Sequence, residues 1–290
     1  RFISKSYCRY NVRCSSFTEY FLILMVGETL CHIIMKEGRC LVKRVLLTIS
    51  FDGTAYHGWQ VQPNAVTVQQ VLEEALAKLV RQPVPLVGAG RTDAGVNAAC
   101  MVAHGDFPSE VDCAQLVYKL NKILPPDIAV SDVRRVKGDA HARFDALSRR
   151  YSYRVVTVKS PFARRYAYRV LSGVDFEAMN RAAEILYEYS DFTSFSKLHT
   201  DVKTNNCKVT HAAWRRVGEH EWVFEIEADR FLRNMVRAIV GTLLLVGRGK
   251  MTLDGFRAVI ENKARGEAGD SAMGEALFLM EVKYPSEIFL

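Results

Sequence analysis

The chain has 290 residues, enough for one large domain or two ordinary ones. Its 49% hydrophobic and 24% charged residues are globular composition, which excludes a fibrous or wholly disordered chain. No apolar run nears the roughly 18 residues that a membrane-spanning helix needs, and the net charge of +7 is too mild to identify a nucleic-acid partner by itself.

Residues 1–42 differ from the rest. Their apolar residues keep no period, and Arg1 to Thr18 contain four basic residues, four serines and no acid, the composition of an organellar transit peptide. The competing reading is a frame extended upstream of a true start near Met35 to Lys43. Under either reading the segment is an N-terminal extension outside the folded core. The apolar run Phe21 to Val26 is too short for a signal-peptide core. Seven cysteines, four of them in the first forty residues, form no CxxC pair and no metal-like spacing. They read as reduced thiols in a reducing compartment, and so as a cytoplasmic protein.

From Lys43 the periodicities are clear. Arg44 to Phe51 is a β-rich run ending in the turn Asp52-Gly53. Thr67 and Gln70 have capping-box spacing, and Val68, Val71, Leu72, Ala75, Leu76 and Leu79 then fall on one helical face. Pro83 to Gly88 and Cys100 to Phe107 read as strands. Asp112 to Ile123 reads as a helix stopped by Pro125-Pro126, and Ile128 to Val136 as a fourth strand. The order is β-α-β-β-α-β, the split βαβ unit.

That order recurs. Tyr151 to Val158 is a strand with a hairpin partner at Tyr166 to Val170, and Asp175 to Tyr187 is a helix. Val209 to Val217 and Trp222 to Ala228 are strands, the second alternating Trp222, Phe224 and Ile226 inward with Val223, Glu225 and Glu227 outward. A helix carries Leu232, Val236, Ile239, Val240 and Leu243 on one face. A shorter helix at Leu253 to Asn262 and a strand at Leu277 to Tyr284 complete the unit. The expected fold is therefore α+β: two ferredoxin-like, RRM-like lobes, residues 43–147 and 148–290, whose mainly antiparallel sheets flank a central basic cleft.

Positive charge is concentrated locally. Arg134 to Arg169 holds eleven Arg or Lys against Asp139 and Asp145, with Phe144, Tyr151, Tyr153, Phe162, Tyr166 and Tyr168 interleaved. Arg and Lys supply phosphate contacts and aromatics stack unpaired bases, so the segment, with Arg143, Arg149 and Arg150, reads as RNA-binding. The bland alternative is a solvated Arg-rich hairpin with its tyrosines in the core, and it suits Tyr153 best.

The stretch GAGRTDAGVNA, Gly88 to Ala98, is the most distinctive in the chain. Gly90 and Gly95 suit a tight loop that approaches a ligand closely. Asp93, ionised near neutrality, can act as a nucleophile without a base to deprotonate it; Arg91 precedes it. The plainer reading is an Asx-type surface turn with Arg91 as a solvated ion-pair partner. Helical phase puts Arg237 off the apolar face of its helix, where an ordinary surface arginine would sit.

Five motifs in order decide between these readings: FDGTAYHGWQ at Phe51 to Gln60, GRTDAGVNA, HARFDALSRRYSY at His141 to Tyr153, DFTSF at Asp191 to Phe195, and FLRNMVR at Phe231 to Arg237. From Lys43 to about Tyr284 the chain resembles the tRNA pseudouridine synthase A family. The resemblance implies an isomerase acting on uridines 38 to 40 of the tRNA anticodon stem-loop, working as a homodimer. It implies Asp93 as nucleophile, Tyr151 stacked on the target base, Arg237 as the basic partner of the carboxylate, and Arg91 holding the flipped nucleotide. The reaction is redox-neutral, so no cofactor and no metal is implied; the sequence has no GxGxxG after a strand, no P-loop and no zinc-ligand cluster. The chain departs from the pattern at Asn97, where the family usually has His; an amide cannot carry a proton near neutrality. Two other functions stay open: a non-catalytic RNA-binding paralogue or tRNA chaperone, and a retaining glycosidase, which would need a second carboxylate about 5–5.5 Å from the first.

Overall fold

The computed structural model describes residues 43–108, 110–170, 173–197 and 204–290, so the N-terminal extension lies outside the described residues. β1 (Lys43–Phe51) opens the fold. Thr67 caps α1 (Val68–Val80), its hydroxyl accepting from the Gln70 amide. The return arm of the expected capping box is not made, because the Gln70 side chain donates to Glu74 instead. β2 (Leu86–Gly88), β3 (Asn97–Phe107), α2 (Cys113–Ile123) and β4 (Ile128–Arg135) complete the first half.

The second half runs β5 (Ser148–Val156), β6 (Tyr168–Arg169), α3 (Phe176–Glu184), β7 (Val209–Arg216) and β8 (Glu221–Ala228). Then come α4 (Met235–Gly247), α5 (Leu253–Glu261) and β9 (Leu277–Lys283). The expected helix to Tyr187 stops at Glu184 and tightens into a 3-10 turn, Ile185–Glu188. Among the described residues no helix is long and apolar enough to cross a membrane.

Mixed α/β architecture and a mostly antiparallel sheet follow the expectation, but the strands form one sheet where two flanking sheets were expected. Its order is β4-β1-β3-β9-β5-β8-β7, with β2 added to β3 and β6 to β5. Pro83 and Pro85 lack the N–H a ladder needs, which limits β2 at its start, and after Gly88 the chain leaves the sheet for the Asp93 loop, so β2 has three residues and pairs only with Ala103 to Gly105. The edge of β3 beyond that loop, at Asn97 and Ala98, pairs in parallel with Phe278 and Leu279 of β9. β9 in turn runs antiparallel to β5 from Ser148 to Tyr153. Beyond Tyr153 the β5 edge is open, and β6 fills it in parallel at Val155 and Val156, where a hairpin partner was expected.

Direct cross-strand partners point to the same face, so the register puts Phe51, Ala98, Leu279, Tyr151 and Ile226 on one side of the sheet. Two hydrophobic cores form. One gathers Leu47, Ile49, Leu72, Leu76 and Leu120; the other gathers Tyr153, Phe224, Met179, Ile239 and Phe256. Tyr151 is half-buried and packs against both, which places it at the seam. β8 alternates as expected, with Phe224, Ile226 and Ala228 buried. α4 does not: ten of its thirteen residues are buried, so it has no solvent face of the kind that periodicity alone implied.

Candidate active site

The loop between β2 and β3 rests on the segment that follows β1. The Trp59 amide donates to the Thr92 carbonyl and the Gly95 amide to that of Tyr56. A Cβ on Gly58, which has φ +85°, would lie 2.2 Å from the Thr92 carbonyl oxygen, and one on Gly53 would lie 2.0 Å from that of Val96. The FDGTAYHGWQ motif is thus the bed of the Asp93 loop, and its glycines let two backbones touch. Gly95 takes φ +77°, as a tight turn requires, whereas Gly90 faces open space and has no such constraint.

Asn97 locks the loop's far end. Its buried amide accepts from the Gly53 N–H at 2.8 Å and donates to the Glu275 carbonyl at 2.7 Å. One planar group therefore joins the first half of the chain to the turn that precedes β9.

Opposite the loop, α4 begins at Asn234 in the left-handed conformation (φ 68°), whose side chain donates to the Ser271 hydroxyl. Its first turn presents Arg237. Nε donates to the Ala272 carbonyl at 2.7 Å, and Nη1 lies 3.0 Å from Asp93 Oδ2. The pair is about one-fifth exposed on each side, so solvent still reaches the carboxylate. Arg233, in the turn just before the helix, has Nε 3.9 Å from Asp93 Oδ1. Oδ2 is therefore committed to Arg237, while Oδ1 has only a loose second guanidinium beside it.

Tyr151 completes the group. Its ring meets Phe231 edge to face with centroids 5.1 Å apart. Burial, with a further push from the Asp93 charge and an opposing pull from Arg149, raises its hydroxyl to about 12, so it stays protonated at neutral pH. Tyr153, two residues on, is fully buried in the core.

The remaining expected residues divide. Arg91 and Arg143 are exposed, with the Arg143 guanidinium 5.7 Å from the ring centre of Phe144, which is 74% exposed. Arg150 pairs with Glu281 at 3.0 Å on the opposite side of β5 from Tyr151. Arg149 is turned inward: only 8% exposed, it spends its guanidinium on main-chain carbonyls and offers nothing to a phosphate. Its place in an arginine-rich run suggested the surface, but strand alternation puts it beside Tyr151 on the packed face. Sequence reasoning did not single out Arg233, Phe231 or the two bonds of Asn97. Arg233 precedes the left-handed residue that opens α4, so helical periodicity gave no signal for it.

The tRNA pseudouridine synthase family model matches residues 47–145 and 182–285. A tRNA pseudouridine synthase A of Bacteroides fragilis is 58% identical over 249 residues, covering 86% of this chain and 99% of the relative. That of Bacteroides thetaiotaomicron is 59% identical over 250 residues (86% and 93%), and that of Acetivibrio thermocellus 42% over 246 (84% and 100%).

Proposed function

This chain belongs to the tRNA pseudouridine synthase family, and from that premise we propose how its own residues carry the isomerisation of uridine to pseudouridine in tRNA. The substrate is the anticodon stem-loop, at uridines 38 to 40. A target inside a paired stem must leave its stack to reach any protein carboxylate, so the nucleotide is flipped. Asp93 is the nucleophile, and Oδ1, the oxygen not held by Arg237, is the one that attacks. In the net reaction the N1–C1′ bond breaks, the base rotates, C5 bonds to C1′ and the C5 proton is lost while N1 gains one. Arg237 holds Oδ2 of the partly buried carboxylate and so orients the side chain. Tyr151 stacks on the base from the seam between the cores, and Arg91, Arg143 and Arg233 meet the backbone phosphates.

The observation that carries this reading is the 3.0 Å pair of Asp93 with Arg237, formed across 144 residues of sequence and open to solvent beside Tyr151. Residues 43–147 and 148–290 are two ferredoxin-like lobes within it. Support comes from their matching strand orders, β4-β1-β3-β2 and β9-β5-β8-β7. A homodimer belongs to the same proposal. The test is Asp93→Asn assayed on unmodified tRNA, with pseudouridine mapped by position. The amide keeps the shape but not the charge, so product should fall at least about a thousandfold while tRNA affinity stays within about threefold. Product formed near the wild-type rate would remove Asp93 from the chemistry.

A further inference from the structure

We infer that Arg149 is a positioning residue, which fixes the Asp93 loop against the segment carrying Phe231, Arg233 and Arg237; this rests on the reading of Asp93 as nucleophile. Arg149 is the second residue of β5, two before Tyr151 on the same face. Nη1 donates to the carbonyls of Ala146 at 3.0 Å and Asp229 at 2.7 Å. Nη2 donates to those of Ala89 at 3.0 Å and Arg143 at 2.6 Å. All four terminal N–H groups are used.

The four carbonyls come from three separate stretches. Ala89 opens the catalytic loop, four residues before Asp93. Asp229 follows β8, two residues before Phe231 and four before Arg233. Arg143 and Ala146 belong to the HARFDAL segment that presents Arg143 and Phe144. One planar group therefore ties these three stretches together. Among the described residues it forms no ion pair with a carboxylate, and burial lowers its pKa.

A buried cation balanced only by carbonyl dipoles is a poor way to stabilise a core, because an apolar side chain of similar size avoids the desolvation. Four charge-assisted bonds in a rigid plane instead define geometry. Lysine cannot copy this: it has three donors on a single point rather than a fork. The seam that Arg149 spans is also where the two cores meet, so small shifts there move Asp93 relative to Arg237. Displacements of about 1 Å cost on the order of a hundredfold in rate.

The test compares Arg149→Lys and Arg149→Gln with wild type in the full chain. Thermal midpoint, tRNA affinity with its salt dependence, and single-turnover pseudouridine formation are measured together, with Asp93→Asn alongside. The expected result is a folded protein whose tRNA affinity stays within about twofold, whose salt slope is unchanged, and whose single-turnover rate falls about a hundredfold in both variants. A merely structural residue would not separate rate from binding in this way. A folded variant within threefold of the wild-type rate would overturn the inference. So would weakened binding with a slope shallower by about 0.7–0.9, the mark of one lost phosphate contact, and so would failure of both variants to fold. An Asp93→Asn enzyme as active as wild type would instead overturn the nucleophile reading beneath it.

Discussion

Asn97 shows what a single side chain can hold. It bonds a donor from the first half and an acceptor beside β9 with one amide, four residues past the nucleophile. A neutral imidazole also offers one donor and one acceptor, so Asn and His can fill the same role without any proton transfer. Asn97→Ala would leave the Gly53 N–H and the Glu275 carbonyl buried without partners. Such a change costs about 1–3 kcal/mol, which a lowered urea midpoint at unchanged slope would report; Asn97→His should recover most of it. A midpoint equal to wild type in the alanine variant would mean that these bonds contribute nothing net. The Asp93 loop stood out as a candidate because its motif is contiguous, although on residues alone it also read as a surface turn. Its pairing with Arg237 did not stand out: helical phase puts Arg237 on a surface, and the two lie 144 residues apart. Only the family motif connected the two.

At the scale of elements, strands and helices were legible wherever one face is buried and one exposed. The errors came where distant strands compete for an edge. β2 stops at Gly88 where the chain leaves for the Asp93 loop, β9 takes the β3 edge at Asn97 and Ala98, and β6 pairs with β5 at Val155 and Val156, past the point opposite Tyr153 where β9 begins. No local pattern carries that information. The HARFDAL segment shows the same dependence. His104 of β3 is buried, accepts the Ala142 amide on Nδ1 at 3.1 Å, and meets the His141 ring with centroids 4.6 Å apart. Burial first, then the Arg44 and His141 charges, push His104 down to about 4, against the weaker pull of Asp106 and Asp145. The unfolded chain, with histidine near 6.5, therefore takes up this proton before the folded protein does. The stabilising contribution is complete above about pH 6.5 and is lost as pH falls toward 4. By pH 4.5 that loss is about 2 kcal/mol. His104→Gln removes the titration, so urea midpoints at pH 7 and 4.5 should fall less in the variant than in wild type. Equal falls would place the acid sensitivity in other groups.

At the scale of the molecule, the basic signal was legible as a segment and not as a surface. The eleven cations between Arg134 and Arg169 are spread over strands and turns rather than over one surface. Arg149 goes inside, Arg150 pairs with Glu281 away from Tyr151, and Arg165 pairs with Asp52 at 3.0 Å. Exposed Arg91 and Arg143, and Arg233 beside Asp93, come from three separate loops. An RNA path over that face should show itself in salt. Each phosphate neutralised contributes about 0.7–0.9 to the slope of log affinity against log salt. The double variant Arg91→Ala, Arg143→Ala should therefore lower the magnitude of the slope by about 1.4–1.8 and weaken binding most at low salt. Arg150→Ala should change the slope much less, because its charge is already partnered and the pair lies behind the strand. Asp93→Asn, assayed in the same titration, should leave the slope as it is. A larger effect from Arg150 than from the Arg91 and Arg143 pair would move the RNA to the other side of the sheet, and the nucleotide would then have to reach Asp93 around its edge.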